Sequence, residues 1–195
     1  MMHRPSYYVI NAITMYRLLA APVVALLIVY NQYDIFKWML ALSFGTDLID
    51  GWLARRFKVT SVFGSKLDSV ADDLTVAAAI TGVILFKHDF LVKELWIIIS
   101  LLVLFMIQVA LALARYKRLT SFHTYSAKAA TILQGSFFIL LFFLPQPLYP
   151  LFYITAAMTA IDLLEEIVLV LLLRDWKVNV KGLYWVLRKR ELASR

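Results

Sequence analysis

The sequence predicts an all-α integral membrane protein with six transmembrane helices, and two observations support this prediction. Of the 195 residues, 62% are hydrophobic and only 17% are charged, which is too apolar for an ordinary soluble domain. The apolar residues also form six stretches of about 20 residues, the length that a helix needs to cross a bilayer. These stretches cover residues 12–30, 36–55, 64–86, 95–114, 126–144 and 148–173.

The basic residues predict the orientation of these helices. Of the 20 lysines and arginines, Lys37, Lys87 and Lys93 lie in or beside the first and third connections, and Arg17 lies within the first span. The others lie at the N-terminus, in the second and fourth connections and in the C-terminal tail. Because cytoplasmic loops carry an excess of Lys and Arg, both termini are predicted to be cytoplasmic. This topology also explains the net charge of +7, so no nucleic-acid partner is predicted.

The chain shows no internal repeat and no flexible linker, so residues 1–195 are predicted to form a single membrane-embedded domain. The absence of cysteine excludes a disulfide framework and a thiolate metal site. After the sixth span, the tail mixes apolar and aromatic residues with Lys181, Arg188, Lys189 and Arg190. This composition predicts a basic amphipathic helix on an anionic membrane surface, with a solvated tail as the alternative.

Four aspartates lie near the predicted cytoplasmic ends of two successive spans: Asp47 and Asp50 in the second, and Asp68 and Asp72 in the third. Helical periodicity places the first pair on one stripe with Gly51 and Ala54, and the second pair on another stripe with Gly64. The short connection makes the two helices antiparallel neighbours, so their stripes can face each other. The pattern therefore predicts a pocket lined by four carboxylates, whereas Asp73 falls outside it.

Carboxylates inside a membrane need compensation, since each ionised Asp at a helix centre costs about 2.5 to 3.5 kcal/mol. Hard oxygen ligands without His or Cys favour Mg²⁺ or Mn²⁺, and four of them can hold two ions that share a substrate phosphate. Arg55 can bind a phosphate through two hydrogen bonds. The alternative, in which the aspartates only pair with cations at the membrane surface, namely Arg55, Arg56, Lys58 and Lys66, is disfavoured because intramembrane ionisable groups are usually functional.

These residues resemble the signature of the CDP-alcohol phosphotransferase family, D-x-x-D-G-x-x-A-R, eight residues, then G-x-x-x-D-x-x-x-D. The segment "DLIDGWLARRFKVTSVFGSKLDSVAD" matches every fixed position: Asp47, Asp50, Gly51, Ala54, Arg55, Gly64, Asp68 and Asp72. The six-span layout with cytoplasmic termini also resembles the family.

The resemblance implies that an alcohol hydroxyl attacks the lipid-linked phosphate of CDP-diacylglycerol and that CMP leaves. It further implies that the four aspartates bind two Mg²⁺ or Mn²⁺ ions, that Asp72 is the general base, and that Gly51, Ala54, Arg55 and Gly64 shape the site for the CDP-alcohol. A homodimer in the bacterial cytoplasmic membrane, with its active site facing the cytoplasm, is likewise an expectation from the resemblance.

The acceptor alcohol is predicted from the fourth connection, "RYKRLTSFHTYSAK". Its cations Arg115, Lys117, Arg118 and Lys128 suit an acceptor that carries a phosphate, although they also fit a role as topology anchors. "NAITMYRLLAAP" and "SAKAATILQ" resemble patterns of phosphatidylglycerophosphate synthases and favour glycerol 3-phosphate. Asp73 stands where those enzymes commonly carry Lys, so inositol phosphate or inositol remains the alternative. His123 is interpreted as a capping or interfacial residue rather than a phosphate ligand.

Three further acidic residues, Asp162, Glu165 and Glu166, lie in the sixth span. Asp162 and Glu166 share a helix face, and structural pairing is favoured over a part in the site. A function of another class, a small cation transporter, would also use intramembrane carboxylates. It is disfavoured because the outer halves of the second and third spans carry few polar groups.

Overall fold

The computed structural model describes the backbone of the chain except residues 1–4, 58–61, 121, 123, 174, 178–179 and 194–195. Inside the helices, the side chains of residues 5–14, 17, 47–57, 62–70, 72–73, 190–191 and 193 are also outside the description. All regular secondary structure in the described part is helical, which confirms the predicted all-α class. The helices are α1 (Pro5–Val29), α2 (Tyr33–Phe57), α3 (Val62–Phe86), α4 (His88–Lys93), α5 (Leu95–Tyr116), α6 (Tyr125–Phe143), α7 (Tyr149–Leu172) and α8 (Leu183–Ala193).

The six long helices correspond to the six predicted spans. Five of them begin and end within three residues of the predicted limits, whereas α1 begins at Pro5 and therefore precedes its predicted start at residue 12. Among the described residues, α5 and α6 are long and apolar enough to cross a membrane by length and composition. Shorter apolar stretches cover Leu18–Val29 of α1 and Leu74–Phe86 of α3. The six-span topology itself stays a prediction.

The chain divides into two compact units, Met1–Val92 and Lys93–Arg195. In the first unit, α1 packs against both α2 and α3, and α2 also contacts α3. Its core contains Ala20, Val24 and Ile28, which recur every four residues along α1 and so form one buried face. At the end of α1 the chain reverses at Asn31, which has a positive φ of 55°, a conformation that Asn tolerates better than most residues.

Aromatic contacts fix the relative direction of α2 and α3. The rings of Tyr33 and Phe36, at the start of α2, lie 5.1 Å and 5.3 Å from the ring of Phe86 at the end of α3. The start of one helix therefore packs on the end of the other, and the pair is antiparallel. This confirms the arrangement that the short connection predicts.

In the second unit, α7 packs against both α5 and α6. The α6 and α7 helices are antiparallel, since Phe137 of α6 contacts Phe152 near the start of α7 with ring centroids 5.4 Å apart. The α5 and α7 helices are parallel, since Tyr153 donates a hydrogen bond to Glu94 at the start of α5 and Tyr116 donates one to the carbonyl of Leu173 at the end of α7. The end of α5, the start of α6 and the end of α7 consequently meet at one end of this unit.

Candidate active site

The eight signature residues lie on two helices, at the same end of the first unit. Asp47, Asp50, Gly51, Ala54 and Arg55 fall in the last part of α2, and Gly64, Asp68 and Asp72 fall in the first part of α3. Because the two helices are antiparallel, both halves of the signature approach one end of the pair. The side chains of all eight residues lie outside the described part of the structure, so their predicted convergence rests on helical periodicity.

Beyond the signature, the described core of the first unit becomes apolar. Directly before Asp47, the hydroxyl of Thr46 donates to the carbonyl of Leu42 at 2.7 Å. On α3, the buried hydroxyl of Thr75 donates to the carbonyl of Ala71 at 2.8 Å. Both hydroxyls are thus satisfied by their own helix. Farther from the signature, α2 buries one more hydroxyl residue, Ser43, and the core is otherwise formed by apolar residues such as Phe36, Leu40, Ala79 and Val83.

The four cations predicted to bind the acceptor lie at the end of α5 and the start of α6, in the second unit, and all are exposed. Arg115 donates through Nε to the carbonyl of Leu173 at 3.0 Å and so caps the end of α7. Lys117 follows α5 with a positive φ of 53°, and its N–H donates to the carbonyl of Leu113. Arg118 lies over the ring of Trp176.

Lys128 lies 5.4 Å from the ring centroid of Tyr125, a contact that leaves an exposed ammonium accessible to an anion. Arg115 is therefore the one of the four cations that already donates to a carbonyl at a helix end, whereas Arg118 and Lys128 lie over aromatic rings. His123 lies outside the described residues.

The acidic residues of α7 belong to a hydrogen-bonded group, which we call the carboxylate cluster: Asp162, Glu165 and Glu166 with Gln108, Thr120, Thr124 and Ser126. Gln108 is only 3% exposed, and its Nε2 donates to Thr120 Oγ1 and to Glu166 Oε2, each at 2.7 Å. Thr120 also donates to Glu166 Oε2 at 2.9 Å. This part of the cluster joins α5 to α7.

The second part of the carboxylate cluster joins α6 to α7. Thr124 is the N-cap of α6, since its Oγ1 accepts the N–H of Ala127 at 3.0 Å. The Ser126 hydroxyl contacts Asp162 Oδ1 at 3.0 Å and also Glu165 Oε2. Neutral groups are thus the partners of these carboxylates among the described residues: hydroxyls, the Gln108 amide and, for Glu165, the backbone N–H of Leu183. These contacts agree with the structural pairing favoured for Asp162 and Glu166. The side chain of Arg17 lies outside the description.

Sequence reasoning did not anticipate the three hydroxyl members of the cluster. Thr120, Thr124 and Ser126 are single hydroxyl residues in or beside a polar connection, and nothing in the sequence separates them from neighbouring Ser121. The available signal was the three acidic residues of the sixth span, which require hydrogen-bond partners when they are half buried.

The sequence of the chain is similar to those of known proteins. The profile of the CDP-alcohol phosphatidyltransferase family matches residues 7–172. Among curated proteins, a CDP-diacylglycerol–glycerol-3-phosphate 3-phosphatidyltransferase of Cereibacter sphaeroides is 40% identical over 74 residues, 36% of this chain and 34% of that protein. The protein of the same name from Pseudomonas fluorescens is 42% identical over 73 residues, 36% and 37% of the two chains.

A CDP-diacylglycerol–inositol 3-phosphatidyltransferase of Arabidopsis thaliana is 39% identical over 54 residues, 28% of this chain and 24% of the relative. The matched segments thus span about a third or less of the length of these relatives. No solved structure matches the chain.

Proposed function

The chain belongs to the CDP-alcohol phosphatidyltransferase family, and we propose that it transfers the phosphatidyl group of CDP-diacylglycerol to a hydroxyl of a small alcohol, with release of CMP. The observation that carries this proposal is the complete signature on two antiparallel helices, α2 and α3, whose halves approach the same end of the pair. The favoured acceptor is glycerol 3-phosphate.

The proposed reaction exchanges one bond at phosphorus. The acceptor oxygen attacks the phosphorus that carries the diacylglycerol, and the bond from this phosphorus to the oxygen shared with CMP breaks. The electron pair stays on the phosphate of CMP, and the hydroxyl proton passes to the carboxylate of Asp72, the proposed general base. Arg55 is proposed to bind the diphosphate, while Gly51, Ala54 and Gly64 are small enough to let it approach the helix backbone.

A metal requirement follows from the chemistry of the donor set. Asp47, Asp50, Asp68 and Asp72 supply hard carboxylate oxygens from two helices that approach the same end, and this set fits Mg²⁺ or Mn²⁺. We propose that these four residues hold two such ions. When bound, the ions neutralise the charge of the diphosphate.

Glycerol 3-phosphate is favoured as acceptor by the two sequence patterns described above and by the names of the relatives from Cereibacter sphaeroides and Pseudomonas fluorescens. Arg115, Lys117, Arg118 and Lys128 are proposed to bind its phosphate. The inositol transferase of Arabidopsis thaliana keeps inositol or inositol phosphate as the second candidate.

Six transmembrane spans with cytoplasmic termini are proposed for the chain as a whole. The long helices contain 19 to 25 residues, equivalent to roughly 28 to 38 Å, which is enough to cross the hydrocarbon core. A cytoplasmic active site in a bacterial inner membrane and a homodimer are proposed from the family resemblance. A cation path through the first unit is disfavoured by its apolar described core, which contains Phe36, Leu40, Ala79 and Val83.

The experiment that tests this function measures CMP release from CDP-diacylglycerol by the purified protein in detergent micelles. Glycerol 3-phosphate, inositol phosphate, inositol and serine are supplied separately, with Mg²⁺, with Mn²⁺ or with a chelator. We expect glycerol 3-phosphate to give the fastest release and the chelator to abolish it.

Asp72→Asn removes the proposed base, and Asp73→Asn is the matched control on the next residue, which lies outside the signature. Asp72→Asn should lower the rate by at least roughly 100-fold, whereas Asp73→Asn should leave it nearly unchanged. The proposal is refuted if no acceptor yields CMP or if Asp72→Asn remains fully active.

A further inference from the structure

The C-terminal helix α8 is fixed to the second unit at its first turn. The N–H of Leu183 donates to Glu165 Oε1 at 2.6 Å, and the N–H of Tyr125 donates to the carbonyl of Lys181, just before the helix, at 3.2 Å. Glu165 thus satisfies one of the free N–H groups that begin every helix, and a carboxylate there also interacts favourably with the helix dipole. The orientation of α8 is therefore set by α6 and α7.

One side of α8 packs against the protein. Leu183 and Val186 contact the buried cluster formed by Ala112, Phe122, Leu169, Val170 and Leu173. These two residues are three apart and lie on one helix face. The cluster belongs to α5, α7 and the connection after α5, so α8 lies across the end of the unit where those elements meet.

The exposed side chains of α8 are largely apolar as well. Tyr184 is 63% exposed, Trp185 44%, Leu187 47% and Leu192 67%. Trp185 also packs its ring on that of Tyr125, with centroids 5.2 Å apart, and Leu187, four residues after Leu183, lies at the edge of the packed side. The outward side of α8 therefore presents Tyr184, Leu192 and part of Trp185, with the exposed cations Arg188 and Lys189 among them, whereas a helix in water normally turns a polar face away from the protein.

We propose that the outward side of α8 binds the surface of an anionic phospholipid bilayer. Tyr184, Leu192 and the exposed part of Trp185 would enter the boundary between headgroups and acyl chains, where Tyr and Trp are favoured. Arg188 and Lys189 have long apolar stems, which lets their charges reach the lipid phosphates while the stems stay in the apolar layer.

Charge favours a lipid surface over a second copy of the chain as the occupant. A two-fold contact between two α8 helices would bring the same cations of both copies, Arg188 and Lys189, close together, and like charges in contact are destabilising. An anionic membrane instead attracts them, and nearby Lys177 and Lys181 are exposed and add to the attraction, whereas Asp175 partly opposes it. Each such cation strengthens surface binding by about fivefold.

The chain has no cysteine, so single cysteines can carry a nitroxide label at chosen positions. Tyr184→Cys and Leu192→Cys report on the outward side of α8, Val186→Cys reports on the side packed against the protein, and Asp175→Cys is the exposed control before the helix. The full-length protein is placed in phosphatidylcholine vesicles with or without phosphatidylglycerol. Electron paramagnetic resonance then compares collisions with oxygen, which enters the bilayer, and with a water-soluble nickel chelate.

In vesicles that contain phosphatidylglycerol, labels at 184 and 192 should collide more with oxygen than with the chelate, and the label at 175 should do the opposite. Arg188→Gln together with Lys189→Gln should weaken the docking of α8 by about 25-fold in these vesicles and by less in pure phosphatidylcholine. The label at 186 should be protected from both reagents in every vesicle, which confirms that α8 remains folded onto the protein.

The proposal is overturned if the labels at 184 and 192 collide with the chelate as freely as the label at 175. It is also overturned if both are protected from oxygen and chelate alike, because that result indicates a protein contact. Neither readout uses transferase activity, so failure of the proposed reaction and failure of this inference are distinguishable.

Discussion

Gln108→Leu should lower the free energy of unfolding more than the same substitution at Gln134. The Nε2 group of Gln108 donates to Thr120 and Glu166 at 2.7 Å each, and the residue is almost completely buried. Leu has a similar volume but no polar side-chain atom, so Gln108→Leu removes both bonds and leaves Glu166 with the hydrogen bond from the Thr120 hydroxyl.

The magnitude follows from the two bonds. A hydrogen bond to a charged group contributes about 1.5 to 3 kcal/mol and one between neutral groups about 1 kcal/mol, whereas polar pairs inside membranes average only about 0.6 kcal/mol. Because Gln108, in the second half of α5, donates to the carboxylate of Glu166, we expect the free energy of unfolding to fall by about 2 to 3 kcal/mol.

Gln134→Leu is the matched control. Gln134 lies on α6 and its Nε2 donates to the Thr159 hydroxyl of α7 at 2.8 Å, so the substitution removes a single bond between neutral groups. Its expected loss is about 1 kcal/mol or less. Equilibrium unfolding in mixed micelles, followed by circular dichroism, measures both variants. An equal loss for the two glutamines would refute the reasoning that the carboxylate partner makes Gln108 the stronger tie.

Three further predictions concern positions whose surroundings are well described. Gly182 has φ +150°, and a Cβ there would lie 2.9 Å from Glu165 Oε1, so Gly182→Ala should lower the melting temperature through about 1 to 3 kcal/mol of strain. Its control is Gly45→Ala, where a Cβ meets nothing within 4 Å, and this substitution should stabilise α2 by about 0.5 to 1 kcal/mol. A lower melting temperature in Gly45→Ala would contradict this. Thr124→Ala removes the N-cap of α6 and should lower the free energy of unfolding by about 1 kcal/mol. Thr124→Ser should largely restore this loss. If the serine variant unfolds as easily as the alanine variant, the cap does not act as described. Lys128→Gln should raise the KM for glycerol 3-phosphate without changing that for CDP-diacylglycerol, whereas Lys177→Gln should change neither, and an unchanged KM in Lys128→Gln would remove this lysine from the acceptor site.

Local sequence patterns were sufficient for the long helices and for the antiparallel pairing of α2 and α3. Runs of apolar residues predicted the six long helices, because a helix of this length depends on composition within its own segment. The short connection between Asp50 and Asp68 allowed only an antiparallel pair, and the contacts of Tyr33 and Phe36 with Phe86 confirm it. The short helix α4 was not predicted, since six residues are too few to produce a periodic pattern.

The amphipathic helix predicted for the C-terminal tail shows that such patterns do not predict which side chains pack against the protein. The sequence indicated a helix that mixes apolar and basic residues, and α8 confirms the helix. Only the structure shows that Leu183 and Val186 pack against the buried cluster of the second unit, while Tyr184 and Leu192 stay exposed.

What the sequence determined by itself is the helical class, the position of the long helices and the family, because each depends on residue types at fixed spacing along one segment. The tertiary structure decided which side chains meet across helices. Gln108 and Glu166 are 58 residues apart, and Glu165 reaches the first N–H of α8. Such pairs depend on how each helix is rotated and shifted against its neighbours, and that rotation is set by the packing of the whole unit rather than by any local pattern.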